Sequence, residues 1–287
     1  MLGRPVAVAL CCAAALLLLP STGLARPSGN AAALQLALQA RGLYDGTIDG
    51  IAGPGTTAAI RRLQARRGLV VDGIAGPATR RALGRRGRPA WGSRPLRTGM
   101  AGWDVAVLQF LLNRQGFPSG GIDGGFGPRL DAAVRRFQAF AGLTADGVAG
   151  PTTRAALHRA PPASPLRFYR PVAGPVGDPY GPRGNRLHSG LDFPEPYGAR
   201  VSAAGRGCVS TVGWDPTGYG NYVVIQHRLG VTTWYAHLSS IAVRQGECLV
   251  GGNLVGRVGS TGGSTGPHLH FEVRVRGATV DPLGAFL

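Results

Sequence analysis

The sequence predicts a multidomain α+β chain: two small all-α domains of three helices each, followed by an antiparallel all-β domain. Three observations carry that prediction. Residues 34 to 83 align without a gap on residues 108 to 157, about half the positions being identical. A proline-rich stretch, residues 159 to 166, follows the second copy. Beyond it the texture changes to short alternating runs rich in Val, Thr and Tyr, as half-buried strands require.

At the N-terminus Arg4 precedes an apolar run from Val6 to Leu19, with Gly23 and Ala25 at the small-residue positions of a cleavage site. Residues 1–25 are read as a signal peptide. The run is too short for a membrane span, which needs about 20 apolar residues. After its removal the chain is expected to have no transmembrane segment and to be secreted.

The repeats occupy residues 31–84 and 98–158, joined by a linker over 85–97. Within each copy an Asp-Gly followed two residues later by Gly-Pro occurs twice: Asp49 to Pro54, Asp72 to Pro77, Asp123 to Pro128 and Asp146 to Pro151. Asp-Gly supplies a tight turn with a positive φ, and a proline preset for helical φ suits the start of the helix that follows. Apolar residues three or four apart (Leu34 and Leu38, Ile60 and Leu63, Leu108 and Leu112, Val134 and Phe137) give each helix one face to bury. The turns are read as structural, and each copy as a small bundle.

The chain carries a formal net charge of +17, all 31 basic residues being arginine. The excess lies mainly in the first repeat region. Residues 26 to 97 hold thirteen Arg against Asp45, Asp49 and Asp72, whereas residues 166 to 287 hold eleven against seven acids. An anionic partner should therefore meet the N-terminal half. Nucleic acid is possible on charge alone, but no finger, recognition helix or aromatic-basic strand motif accompanies the charge, so no nucleic-acid partner is expected.

Five of the six histidines lie in residues 167–287, the β domain. His188 and Asp192 are four residues apart, and His268 and His270 two apart; on extended backbone each pair shares a face. Two imidazoles and a carboxylate suit Zn²⁺, and three protein ligands leave a fourth tetrahedral position open for water, the arrangement of a catalytic site. Spacing alone does not separate the ligands from the other histidines. Glu272 shares the face of His268 and His270; it either orients an imidazole or stands exposed, and is left out of the site. His227 and His158 are read as structural. The glycine-rich run from Gly259 to Gly266 lacks the Lys-Ser/Thr ending of a phosphate loop and is read as a groove wall. Cys208 and Cys248 are expected to pair in an oxidising compartment, zinc binding being the alternative.

The leading Leu-Gln pairs (Leu34-Gln35, Leu108-Gln109), the Arg-Arg-Leu/Phe-Gln helices (Arg61 to Gln64, Arg135 to Gln138), then Gly-Leu and Asp-Gly, make both copies resemble the three-helix peptidoglycan-binding domain. Arg183 to Asp192, Gly218 to Asn221, Thr233 to Leu238 and Gly262 to Val273 resemble, in order, the lysostaphin-type zinc endopeptidase family. The second resemblance implies one zinc per chain held by His188, Asp192 and His270. It also implies that His268 acts as general base and His237 as transition-state stabiliser. Together the resemblances imply a metallopeptidase that hydrolyses peptide bonds in peptidoglycan, secreted to the cell wall or periplasmic space, with anionic wall polymers as the partner that fits the basic N-terminal half; a monomer is expected. The alternative is a catalytically silent wall-binding protein that activates another hydrolase, as degenerate relatives do; the five intact site positions speak against it.

Overall fold

The computed structural model describes residues 26–287; the signal-peptide reading falls outside the described residues. The first copy forms helices α1 (Gly29–Gln39), α2 (Pro54–Arg66) and α3 (Pro77–Ala82). The second forms α4 (Trp103–Arg114), α5 (Pro128–Phe140) and α6 (Pro151–Leu157). As the turns predict, α2, α3, α5 and α6 each start on the proline of a Gly-Pro pair, with the glycine as N-cap. Gly50, Gly73, Gly124 and Gly147, the glycines of the four Asp-Gly pairs, have φ of 73°, 76°, 74° and 76°, a region that strains any residue with a Cβ.

A buried glutamine from the preceding helix locks each turn. Gln35, Gln64, Gln109 and Gln138 donate through Nε2 to Asp49, Asp72, Asp123 and Asp146 at 2.7, 2.7, 2.8 and 2.7 Å. Through Oε1 they accept from the N–H of Gly50, Gly73, Gly124 and Gly147. An amide has both the donor and the acceptor this exchange needs.

The two copies are not separate bundles. One apolar core runs through both, with Ala33, Ala37 and Leu38 of α1 and Val107, Leu108 and Leu111 of α4 among its buried members. The reason lies in α4, whose residues from Trp103 to Asn113 are all buried: a helix covered on every side cannot be satisfied by one three-helix unit. Trp103 Nε1 donates across the seam to Asn30 Oδ1 at 2.9 Å. Residues 85–97 run along this body rather than free of it, Leu96 being buried and bridged to Ala149.

The β domain contains β1 (Gly181–Arg183), β2 (Arg186–His188), β3 (Leu191–Pro194), β4 (Arg200–Ser202), β5 (Gly207–Asp215) and β6 (Gly220–Gln226). Then follow β7 (Val231–Leu238), β8 (Ser240–Ile241), β9 (Cys248–Leu249), β10 (Leu254–Arg257), β11 (His268–Val275) and β12 (Ala278–Val280). The main antiparallel sheet runs β12-β11-β7-β6-β5-β9, with β3 also paired to β11; a small sheet, β4-β10-β8, packs beside it. On β11 Leu269, Phe271 and Val273 enter the core with Tyr235 and Phe193, which leaves the intervening His268, His270 and Glu272 on the opposite face. Cys208 and Cys248 form a disulfide between β5 and β9.

The β1–β2 hairpin stands against the helical body. Ile48 N–H donates to Gly184 O at 2.9 Å and Ile122 N–H to Asn185 O at 2.7 Å. Thr279 N–H donates to Gly116 O at 2.9 Å, and the Arg276 guanidinium lies 4.7 Å from the Phe140 ring centroid.

Candidate metal centre

Antiparallel register places His270 on β11 directly opposite Asp192 on β3, and β2 delivers His188 at its last residue. His188 Nε2, Asp192 Oδ1 and His270 Nδ1 thereby converge at 3.1, 3.2 and 2.7 Å, for the pairs 188–192, 188–270 and 192–270. Ligands at ~2.0 Å in a tetrahedral set stand ~3.3 Å apart, so these three donors have the spacing and chemistry to hold Zn²⁺. Among the described residues they form the one group of three or more His, Cys, Asp or Glu side chains close enough to share an ion.

Each donor is fixed from behind. His188 Nδ1 donates to Pro179 O at 2.7 Å, which leaves Nε2 free of its proton and turned to the site. Arg183 holds Asp192 Oδ2 at 2.9 Å while Oδ1 faces the histidines. His270 Nε2 lies 3.1 Å from Glu272 Oε1. Glu272, half expected to stand exposed, is wholly buried, and it accepts from Ser189 Oγ, Tyr219 Oη and Arg274 Nε. Arg274 in turn lies over the Trp234 ring, 3.8 Å from its centroid. Sequence reasoning weighed Glu272 as an orienting carboxylate but left it out of the site, and gave Tyr219 and Arg183 no role; the signal for Glu272 was its place two residues beyond His270.

These contacts set the charges. Burial works to raise the Asp192 carboxyl, but hydrogen bonds with His188 and His270, the His270 charge and Arg183 hold it well below the usual carboxylate range. Burial also works to raise Glu272, and the Arg274 charge and His270 outweigh it. Burial would lower His270, yet its hydrogen bonds with both carboxylates raise the metal-free imidazole to about 9.

His237 and His268 complete the wall. Their ring centroids are 4.6 Å apart, and His268 Nε2 is 3.8 Å from Asp192 Oδ1. His268 Nδ1 donates to Gly266 O and His237 Nδ1 to Thr261 O, each at 2.8 Å, so both rings keep Nε2 as the free nitrogen. Burial first, then the neighbouring His268 and His270, lower His237 to about 4 and keep it neutral. His237 has φ of 60°, a left-handed conformation rare for a residue with a Cβ, and its N–H is tied to Tyr219 O at 2.8 Å. All five residues face one open cavity of about 770 Å³, which Gly263 and Gly266 of the glycine-rich run help to wall. His227 lies away from it, between Arg206 O and Thr233 Oγ1.

Comparison with known proteins agrees with this architecture. Residues 186–282 match the model of peptidase family M23, and residues 28–83 and 102–157 each match the "Putative peptidoglycan binding domain" model. Over 102 residues the chain is 48% identical to the DD-carboxypeptidase/endopeptidase Mpg of Neisseria meningitidis, a match covering 36% of this chain and 23% of that protein. Over 100 residues it is 45% identical to the peptidoglycan DD-endopeptidase ShyB of Vibrio cholerae, covering 35% of this chain and 23% of that protein. The matched part is thus about a quarter of the length of these relatives. Among solved structures, the catalytic domain of lysostaphin from Staphylococcus simulans is 35% identical, covering 38% of this chain and 90% of that one with a TM-score of 0.36. Residues 186–282 thus form a peptidase family M23 domain, which follows two segments that match the peptidoglycan-binding domain model.

Proposed function

We propose that the protein is an exported, monomeric zinc endopeptidase that hydrolyses peptide bonds in peptidoglycan, brought to its substrate by the helical body. The observation that carries this reading is the convergence of His188, Asp192 and His270 beside two further histidines with free Nε2 atoms. One zinc per chain, held by those three residues, would polarise the scissile carbonyl and make a water acidic, with a pKa near ~7. His268 Nε2 takes the proton from that water, its Nδ1–H anchored on Gly266 O so that the basic nitrogen faces the cavity. His237, neutral and anchored on Thr261 O, stands where charge develops on the carbonyl oxygen and stabilises it. Glu272 keeps the His270 proton on Nε2 and thereby commits Nδ1 to the ion.

The two relatives named as DD-endopeptidases support a D,D-cross-link as the bond cut. A catalytically silent activator would have no use for a fully assembled set of donors and two anchored histidines. A general secreted protease is the remaining rival. Incubation with cross-linked muropeptide dimers and, separately, with casein tests the choice: the dimers are converted to monomers and casein stays intact, whereas digestion of casein alone contradicts the reading.

A further inference from the structure

The duplication gives the helical body two equivalent clefts, and they differ in what covers them. One, about 290 Å³, is lined by Asp49, Phe110 and Pro162, and residues of β2 and β12 close over it. The other, about 760 Å³, is lined at the equivalent positions by Asp123, Leu36 and Arg88, each offset by the repeat length in the opposite sense. No other part of the described chain closes this second cleft, which is bounded by the helical body alone. Its floor is small and apolar, from Ala33, Leu36 and Ala37 of α1 and Ala106 of α4.

Its rim is cationic. Arg85, Arg86 and Arg88 line it, all three exposed, and among the described residues none of their guanidiniums has an ion pair or a hydrogen bond. A fourth, Arg94, is already held by the buried Asp104 at 2.8 Å. The covered cleft is lined by Arg114 and Arg186 against Asp49 and Asp281, whereas the open one sets Arg85, Arg86, Arg88 and Arg94 against Asp123 alone, so the net positive charge belongs to the open cleft. Three unpaired guanidiniums over a floor of methyl groups fit a short anionic peptide with small apolar side chains: the carboxylates meet the planar forks and the methyls meet the floor.

We propose that this open cleft, at the seam of the two copies, is a binding site for a peptidoglycan stem peptide, which Arg85, Arg86 and Arg88 recognise through its free carboxylates. The proposal rests on the wall-binding reading above and adds to it where the ligand sits. It assigns one site to the pair of copies rather than one to each.

The test measures depletion of the metal-stripped full chain from solution by purified peptidoglycan sacculi, native or with their carboxylates amidated. The variant Arg85→Gln/Arg86→Gln/Arg88→Gln is compared with the charge-matched control Arg66→Gln/Arg67→Gln/Arg129→Gln, whose three arginines are exposed outside the cleft. The cleft variant should bind native sacculi about tenfold more weakly, and the control should stay within about twofold of the parent. The parent on amidated sacculi should fall to the level of the cleft variant on native ones. Equal losses in both variants, or an unchanged cleft variant, overturn the site while leaving wall binding intact. Parent binding that survives amidation overturns the carboxylate as ligand. A parent that does not bind native sacculi overturns the wall-binding reading and the site with it. A matched unfolding temperature for the three proteins excludes loss of fold.

Discussion

Glu272 Oε1 and His270 Nε2 face each other at 3.1 Å, on the same side of one strand and with the carboxylate wholly buried. A carboxylate there accepts the Nε2 proton and leaves Nδ1 as the ring's donor atom toward Asp192 and His188. Replacing Glu272 by Gln keeps the shape but allows the amide to present an N–H to the ring. Zinc affinity, measured by competition with a chromophoric chelator, should fall about 10- to 100-fold. An affinity unchanged by Glu272→Gln contradicts the positioning role.

Ile48 and Ile122, equivalent residues of the two copies, donate to neighbouring carbonyls at the tip of the hairpin whose second strand ends in His188. The helical body therefore buttresses a strand that supplies a metal donor. A Cβ added at Gly121 would lie 3.0 Å from Asn185 Nδ2, so Gly121→Trp drives a wedge beneath the tip. Overpacking of this kind costs about 1–3 kcal/mol. Amide hydrogen exchange at Ile48 and Ile122 should quicken in the variant, together with exchange along β2. If exchange at both amides stays as slow as in the parent, the buttress is not formed in solution.

His227 offers a pH test removed from the metal centre. Burial lowers its affinity for a proton below the ordinary value of 6.5, partly offset by the hydrogen bond to Arg206 O. The neutral ring is thus favoured by folding. Its contribution to stability is complete above about pH 6.5 and is lost as pH falls below that value toward and through the lowered pKa. Chemical unfolding of the parent and of His227→Gln, compared from pH 7.5 down to pH 5, should show a smaller acid-side loss in the variant. Parallel pH profiles contradict the assignment.

Local chemistry made part of this molecule legible from sequence. The Asp-Gly and Gly-Pro pairs were readable because a positive φ and a proline at a helix start are demands of the residue itself. The partners of those turns were not, since Gln35 meets Asp49 only after the chain folds back across 14 residues. The shared core escaped for a similar reason: a helix as rich in apolar residues as α4 reveals that something covers it without revealing what. In the site, two-residue spacing set His268 and His270 on one face, but it took the β3–β11 register to bring Asp192 opposite His270. Glu272 was the hardest case, because a carboxylate on a strand is ordinarily solvated. Its burial depends on Ser189, Tyr219 and Arg274, which come from separate segments except for Arg274 on its own strand.

The central claim is hydrolysis of peptidoglycan at the centre formed by His188, Asp192 and His270, and digestion of defined peptidoglycan with products identified by mass tests it most directly. The zinc-loaded chain should release fragments whose masses record addition of one water across a peptide bond. A chelator should abolish their release and added zinc restore it. His188→Ala should lose both metal and activity. His268→Ala should keep the metal and lose about 10²- to 10⁴-fold in rate, as removal of a general base does. Cleavage that survives the chelator, or a zinc-loaded chain that releases no fragments, contradicts the account.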